Sequence, residues 1–367
     1  MNMNRKVYTA GAGLLAACMT AATASAQNFM EFQYGASAGA VSQVSVANLK
    51  PNWVATGVLN SAGKVELITW KSNGHALLRK GSATSPIVVQ NASVATVALT
   101  PNLIVTGAIY LNTLQVIPWK VSATGVVTCC LSEALLFTDA SFVRMTKLSS
   151  ESLVAVTDSD GQLVVSIWAM VDGEINLVSG GPISGPVGTL PAVAAVNANW
   201  FVTAIRNGAG NLQLDSWSIN EVGTVSHLET ASAGPVSELD ITAWDSGHVA
   251  TPVRNSAGDL ELIDWTLNQT TGAITRNSSV TVGAIGQVAA STIGPLVFTA
   301  SLNSSGNVDA GVWGYDGAQI EAGHSALEET ATAVAATPLS TGLYSVTASR
   351  TAAGDLQVDV WSGDYVP

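Results

Sequence analysis

Apolar and polar residues alternate in short runs along most of the chain, and the runs end at Gly, Asn, Asp or Ser. Alternation with a period of two is typical of β-strands, and this punctuation is typical of hairpin turns. In the segment 235–282 the pattern predicts four strands, over 237–244, 248–253, 260–267 and 273–282. No segment shows a sustained helical period, so we predict an all-β protein.

The stretch 254–265, RNSAGDLELIDW, recurs along the chain. Its copies end at seven tryptophans that are 49, 49, 49, 48, 48 and 48 residues apart: Trp70, Trp119, Trp168, Trp217, Trp265, Trp313 and Trp361. The copy that ends at Trp119 is worn and has Asn112 where the others have Gly. Gly best tolerates the positive φ of a short hairpin turn, and Asn is the next most tolerant residue. Four short strands in a repeat of this length predict a seven-bladed β-propeller with four antiparallel strands per blade.

The two ends of the chain predict how the ring closes. Only six residues follow Trp361, so the seventh unit lacks a fourth strand. A spare strand covers 29–35. The residues after it, 36–42, match residues 231–237, and the two segments are as far apart in the sequence as Trp70 and Trp265. We therefore expect the N-terminal strand to complete the last blade, which removes a free sheet edge.

The first residues carry a targeting pattern. A short basic region and the apolar stretch 7–22 precede Ala24-Ser25-Ala26, which is typical of a signal peptide over 1–26. The alternative is a lipobox that ends at Cys18, which would make the protein an outer-membrane lipoprotein. The first predicts a secreted or periplasmic protein, and both predict that the protein leaves the cytoplasm without a transmembrane segment.

The repeat leaves room for one domain. We predict that residues 27–367 form a single propeller. Its predicted blades cover 40–88, 89–137, 138–186, 187–234, 235–282, 283–330, and 331–367 together with 27–39.

Composition narrows the possible partners. Only 11% of the residues are charged, and the formal net charge is −12. Binding of nucleic acid or of anionic membranes needs concentrated positive charge, so we expect neither partner. A neutral polar surface suits hydroxyl-rich ligands.

The sequence gives little support for a metal site or a bound cofactor. Four histidines are scattered over different blades without metal-ligand spacing, and we expect them on the surface or in loops: His75, His227, His248 and His324. Asp158 and Asp160 lie where the repeat predicts a turn, and the rest of a calcium loop is missing. Cys129 and Cys130 fall in an outer strand, and the sequence leaves open whether they form a disulfide. We predict no metal site and no cofactor.

Three arginines recur at one repeat position. Arg206, Arg254 and Arg350 each lie eleven residues before the repeat Trp, at the end of the second strand. Equivalent positions of a ring lie on one rim, so the three could form an anion-binding arc. The alternative is that each arginine pairs with a nearby acid and stiffens its hairpin, with Asp259, Asp264 and Asp355 as the available carboxylates.

The first strand of each blade lines the channel of a propeller. These strands are rich in Ala, Ser, Thr and Val, and few polar side chains interrupt them: Gln43, Arg144, Lys147, Glu238, Asp240 and Gln287. Glu238 and Asp240 share one strand face and could act as acid and base. Hydrolases, however, draw their two acids from opposite sides of the substrate.

The repeat unit resembles those of secreted bacterial proteins to which no activity is attached. It also partly resembles the Asp-box of sialidases, but Trp follows Gly by seven residues here, as in Gly258 to Trp265, and by three in that motif. Quinoprotein dehydrogenases also have Trp-bearing blades. They have eight blades and an acidic base with a metal near the axis, for which this sequence shows no counterpart. Neither resemblance implies an activity.

These patterns favour a secreted, non-catalytic binding or scaffold propeller whose ligand is a glycan or an extracellular protein. One alternative is a glycan-active hydrolase or lyase that uses Glu238 and Asp240 at the axis. The second is a structural component of the cell surface.

Overall fold

The computed structural model describes residues 29–88, 93–129, 134–137, 139–178, 182–220, 223–315, 320–340 and 343–364. The predicted signal peptide and Cys18 lie outside these residues. Within them, the regular elements are 26 β-strands, β1 to β26 in chain order. The strands form seven four-stranded antiparallel blades in a ring, which confirms the predicted propeller.

The second and third strands of each blade are separate hairpin arms. The second strands are β2 Trp53–Asn60, β6 Leu103–Tyr110, β11 Ser152–Ser159, β15 Trp200–Asn207, β19 His248–Asn255, β22 Leu296–Asn303 and β25 Tyr344–Thr351. The third strands are β3 Lys64–Ser72, β7 Thr113–Val121, β12 Gln162–Val171, β16 Asn211–Ile219, β20 Asp259–Leu267, β23 Asn307–Tyr315 and β26 Asp355–Asp364.

Five long strands each belong to two blades. They are β1 Phe29–Lys50, β14 Ile183–Asn197, β17 Val225–Leu239, β21 Ile274–Ile293 and β24 Ile320–Leu339. The remaining first strands are β5 Val94–Thr100, β10 Ala140–Lys147 and β18 Thr242–Ala243. The remaining fourth strands are β4 Leu77–Val88, β8 Val127–Cys129, β9 Ala134–Phe137 and β13 Glu174–Leu177.

Each long strand changes partner between two consecutive residues. In β21, Ala284 pairs with β20 of the fifth blade, and Ile285 pairs with β22 of the sixth. The sequence predicts that this fourth strand ends at 282, whereas the structure continues it to Ile293. No turn is needed at the junction, because irregular register on both sides lets the strand move from one sheet to the next.

The N-terminal strand closes the ring. Its first part pairs with β26 from Phe29–Asp364 to Ala40–Asp355, and its second part pairs with β2 from Val41 onwards. β1 is thus the fourth strand of blade seven and the first strand of blade one. The predicted closure is confirmed.

The seven repeat tryptophans form the core between blades. All are at most 1% exposed, and Trp265, for example, packs in one cluster with Leu212 and Leu214 of the preceding blade. In six blades the indole Nε1 donates at 2.8–3.0 Å to a threonine hydroxyl of the second strand: Thr56, Thr106, Thr203, Thr251, Thr299 and Thr347. In blade three Val154 occupies that position, and Ser166 Oγ accepts instead, at 2.9 Å. The tryptophans are therefore structural.

The hairpins between second and third strands have the predicted conformation. Gly258 has a φ of 87°, and Asn112 of the worn repeat has a φ of 61°. No helix among the described residues is long and apolar enough to cross a membrane.

Candidate functional site

The rim arginines clamp one blade to the next. Arg254 Nε donates to the carbonyl of Ile285 at 2.6 Å, and the N–H of Ile285 donates to the carbonyl of the hairpin residue Gly258 at 3.0 Å. Ile285 is the first residue of β21 that belongs to the sixth blade. Both backbone groups of this junction residue are thus bonded to the preceding blade.

The other two arginines repeat this arrangement. Arg206 Nε donates to Val236 O at 2.8 Å, and Arg350 Nε donates to Val41 O at 2.7 Å. The N–H groups of Val236 and Val41 donate to the hairpin carbonyls of Gly210 and Gly354. We call each set of two bonds an arginine clamp.

The acid partners considered from the sequence are not those found. The four ion pairs among the described residues include none of the three arginines. Arg254 Nη1 donates to Ser237 Oγ at 3.1 Å, and Arg350 Nη1 donates to Thr332 Oγ1 at 2.7 Å. The end of the second strand faces the start of the next blade, so a backbone carbonyl lies within reach of Nε.

The structure brings two of the three arginines together. Arg206 and Arg254 line one groove of about 390 Å³ between the hairpins of blades four and five, and the segment Pro235–Ser237 also lines it. We call this the Arg206–Arg254 groove. Arg350 belongs to the junction of blades seven and one, and Leu302 occupies the position in blade six between them. We expected one arc of three arginines. In the structure two of the three share a groove, and the third lies at a different junction.

Glu238 belongs to the rim. It pairs across the strands with Arg254, and it does not line the central cavity. Burial raises the pKa of its carboxyl group, and Arg144 and Arg254 oppose this increase.

Asp240 lies in the channel and ties two blades together. Its Oδ1 accepts the N–H of Ile241 at 2.9 Å, and its Oδ2 accepts the N–H of Ala290 in the next blade at 2.8 Å. Burial raises the pKa of Asp240, and Arg144 and the two N–H groups oppose the increase. The structure thus places Glu238 and Asp240 in different surroundings, and their catalytic use stays a prediction.

The central channel holds a cavity of about 470 Å³, lined by the first strands. Several of its polar groups connect neighbouring blades. Ser45 and Thr96 hydroxyls lie 2.5 Å apart, and Gln287 Oε1 accepts the N–H of Val334 at 3.2 Å. Gln43, Arg144 and Lys147 also line the cavity. Most of the lining side chains are small, as the sequence predicts, but Arg144 and Asp240 add charged groups to the cavity.

Two histidines lie on strands beside buried carboxylates, and His227 is exposed, as expected of a surface residue. His227 Nε2 lies 3.0 Å from Oδ1 of the buried Asp215, and its ring packs on Trp217 with centroids 4.8 Å apart. His248 is partly buried, and its Nδ1 lies 3.5 Å from Asp264 Oδ1. These carboxylates lie on third strands, and the sequence pattern does not show that they reach a histidine.

The other candidates lie apart from one another. His75 is exposed, and the side chain of His324 is outside the described part of the structure. Asp158 Oδ1 accepts the N–H of Gly161 at 2.9 Å, as expected of a turn. Cys129 is disulfide-bonded, whereas Cys130 lies outside the described residues. No three His, Cys, Asp or Glu residues of the described part are grouped as metal ligands would be.

No protein-family model and no curated protein matches this chain. Its fold is similar to that of the periplasmic gluconolactonase PpgL of Pseudomonas aeruginosa, with a TM-score of 0.58 and 11% identity over 78% of this chain and 84% of that chain. The WD40 domain of Toxoplasma gondii coronin gives a TM-score of 0.66 and 11% identity over 93% and 87%. The C-terminal WD40 domain of Sif2 gives 0.52 and 12% over 93% and 99%. At these identities the likeness establishes the β-propeller fold alone.

Proposed function

We propose that the protein is a secreted, non-catalytic binding propeller that holds an acidic glycan in the Arg206–Arg254 groove. One observation carries the proposal. Two guanidinium groups from adjacent blades line the same concave surface, and each is fixed at Nε by its clamp.

Fixed guanidinium groups favour anion binding. A free arginine loses side-chain entropy when it binds a ligand, whereas a clamped arginine has already lost much of it. The Nε bond still leaves terminal N–H donors on each group. These donors match carboxylate and sulfate oxygens, which arginine binds with two parallel hydrogen bonds.

The rest of the groove suits a sugar. Ser237, Asn255 and Ser256 offer hydroxyl and amide groups, and Pro235 and Ala257 offer small apolar surfaces. Glu238 faces Arg254 and offsets part of its charge, so Arg206 carries the larger share of the anion contact in this proposal. The formal net charge of −12 opposes unspecific binding of polyanions elsewhere.

A glycan array probed with the full chain, expressed for export in a bacterial host, tests the proposal. The variants are Arg206→Ala/Arg254→Ala and, as a matched control, Arg350→Ala. The control removes the same kind of clamp without touching the groove. We expect the wild type and the control to bind carboxylated or sulfated glycans, and the double variant to lose at least about tenfold in affinity.

Binding that survives in the double variant would refute the groove as the site. Equal loss in the control would show that the arginines act only through the clamps. A wild type that binds no glycan would leave the extracellular protein partner or the structural cell-surface component as the better hypothesis.

Secretion and the lipid anchor stay proposals with their own test. The basic and apolar N-terminal pattern supports export, and Cys18 is the alternative lipidation site. Mass spectrometry of the exported protein distinguishes a chain that begins at Gln27 from a lipidated chain that begins at Cys18.

A further inference from the structure

Arg144 breaks the repeat inside the central channel. Arg144 pairs across the strands with Val156. Val156 lies two residues after the position at which six other blades have the threonine that accepts the indole N–H, which we call the Trp-binding threonine. Five other blades place an apolar residue at the same register position: Val44, Val94, Leu239, Val288 and Val334. A charge in this half-buried place costs desolvation energy that valine does not.

Asp240 breaks the repeat in the same cavity. Its N–H donates to the carbonyl of Pro252, which lies one residue after the Trp-binding Thr251. In the other six blades, the first-strand residue that corresponds to Asp240 is uncharged: Ser45, Ala95, Met145, Ala192, Ala289 and Ala335. Departures from a repeat that bring charge into a cavity are typical of functional positions.

The guanidinium of Arg144 has spare donors. Nη1 donates to Val143 O at 3.3 Å, and the group lies 4.3 Å from the ring centroid of Phe142. Among the described residues, no ion pair involves Arg144. Burial lowers its pKa, while the charges of Asp240 and Glu238 raise it, so these acids act on Arg144 without contacting it.

We propose that the channel binds a small zwitterion, an amino acid or short peptide, with its carboxylate on Arg144 and its ammonium group toward Asp240. A cavity of about 470 Å³ is within the range of small-molecule sites. The small side chains of the other first strands leave this space open. The site is separate from the Arg206–Arg254 groove and does not depend on it.

The surrounding charges favour a zwitterion over a simple anion. Asp240 and Glu238 repel an isolated carboxylate near Arg144, whereas an ammonium group on the same ligand turns this repulsion into attraction. The two N–H bonds to Asp240 fix its carboxylate without using all of its lone pairs. Lys147 also lines the cavity, nearer the end where the first strand meets the second.

Isothermal titration calorimetry of the full chain tests this site with alanine, Ala-Ala, N-acetyl-Ala-Ala, Ala-Ala amide and the doubly capped dipeptide. We expect a zwitterionic form to bind at least about tenfold more tightly than any capped form. Comparison of alanine with Ala-Ala distinguishes an amino acid from a peptide as the ligand.

Three variants assign the roles. Arg144→Val installs the residue that most other blades have, and Arg144→Gln keeps a polar side chain. Both should lose binding by about tenfold or more while thermal unfolding shows a folded chain. Asp240→Asn should reduce the preference for Ala-Ala over N-acetyl-Ala-Ala.

Equal binding of capped and zwitterionic peptides would overturn the proposal, and so would unchanged binding in folded Arg144→Gln. A wild type that gives no heat with any of these ligands would overturn it as well. These outcomes are independent of the glycan array, because no variant here changes the Arg206–Arg254 groove.

Discussion

Arg254 and Ile285 lie 31 residues apart in sequence and are joined by a 2.6 Å hydrogen bond from Nε to the backbone carbonyl. The N–H of Ile285 is bonded to Gly258 in the same hairpin as Arg254. Buried backbone groups need partners, and at this junction one hairpin supplies both. The rim position that first suggests ligand binding therefore also holds neighbouring blades together.

Loss of an arginine clamp should destabilise the ring. Arg254→Leu removes the bond to Ile285, and Leu fits because Leu59 and Leu302 occupy the same position in blades one and six. We expect the free energy of unfolding to fall by about 1–3 kcal/mol, the usual effect of losing a hydrogen bond from a charged group. Urea unfolding measures the change.

Arg276→Ala is the control for that experiment. Arg276 forms an exposed ion pair with Glu261 at 2.9 Å, and such pairs contribute about 0–1 kcal/mol. An equal loss in both variants would argue against a special role of the clamp.

Blade three allows a rescue test of the buried tryptophan bond. Ser166→Ala leaves Trp168 Nε1 without its acceptor and should cost about 1–3 kcal/mol. Val154→Thr places a hydroxyl where six other blades have one, so the double variant should regain most of the loss. Thermal and urea unfolding compare the three variants. A double variant as unstable as Ser166→Ala would contradict this account.

Two glycines of β1 should respond differently to alanine. A Cβ at Gly35 would lie 2.1 Å from Asp359 Oδ1 and 3.1 Å from the carbonyl of Val358, whereas a Cβ at Gly39 meets nothing within 4 Å. Gly35→Ala should therefore destabilise the closing blade by about 1–3 kcal/mol, and Gly39→Ala should change stability by less than about 0.5 kcal/mol. Hydrogen exchange of β26 locates the effect. Similar losses in both variants would contradict crowding at Gly35 as the cause.

Asp359 should make the closing blade sensitive to pH. It is 1% exposed, and burial raises its pKa from 3.8 to about 7, an increase that Gln357 opposes and Glu329 supports. The unfolded chain then releases this proton at lower pH than the folded chain. Stability contributed by the protonated group is present at low pH and is lost as the pH rises from about 4 to about 7.

Asp359→Asn should remove this dependence. The loss corresponds to at most about 4 kcal/mol, so the variant should be more stable than the wild type at pH 8 and similar to it near pH 4. Denaturant unfolding across this range measures the difference, and Asp172→Asn at an exposed turn is the control. A difference that does not change with pH would refute the prediction.

The architecture follows from the repeat pattern alone. Seven tryptophans at a constant spacing, such as Trp217 and Trp265, define units that cannot bury both faces alone, and stacking them in a ring is the physical solution. The spare strand from Phe29, which precedes a segment that matches a later repeat, also predicts the closure, and its pairing with β26 confirms it. In most repeats a threonine lies fourteen residues before the tryptophan. An alignment of the repeats with one another can reveal this further signal.

The relative positions of side chains from different blades depend on the folded ring. Arg144 and Asp240 lie in blades three and five, and both line the central cavity because the first strands converge on the axis. Arg254 selects a carbonyl of the next blade over nearby acids because inter-blade packing puts that carbonyl within reach of Nε. Periodicity specifies contacts that recur in every unit, whereas contacts between non-equivalent residues of different blades depend on the packed ring.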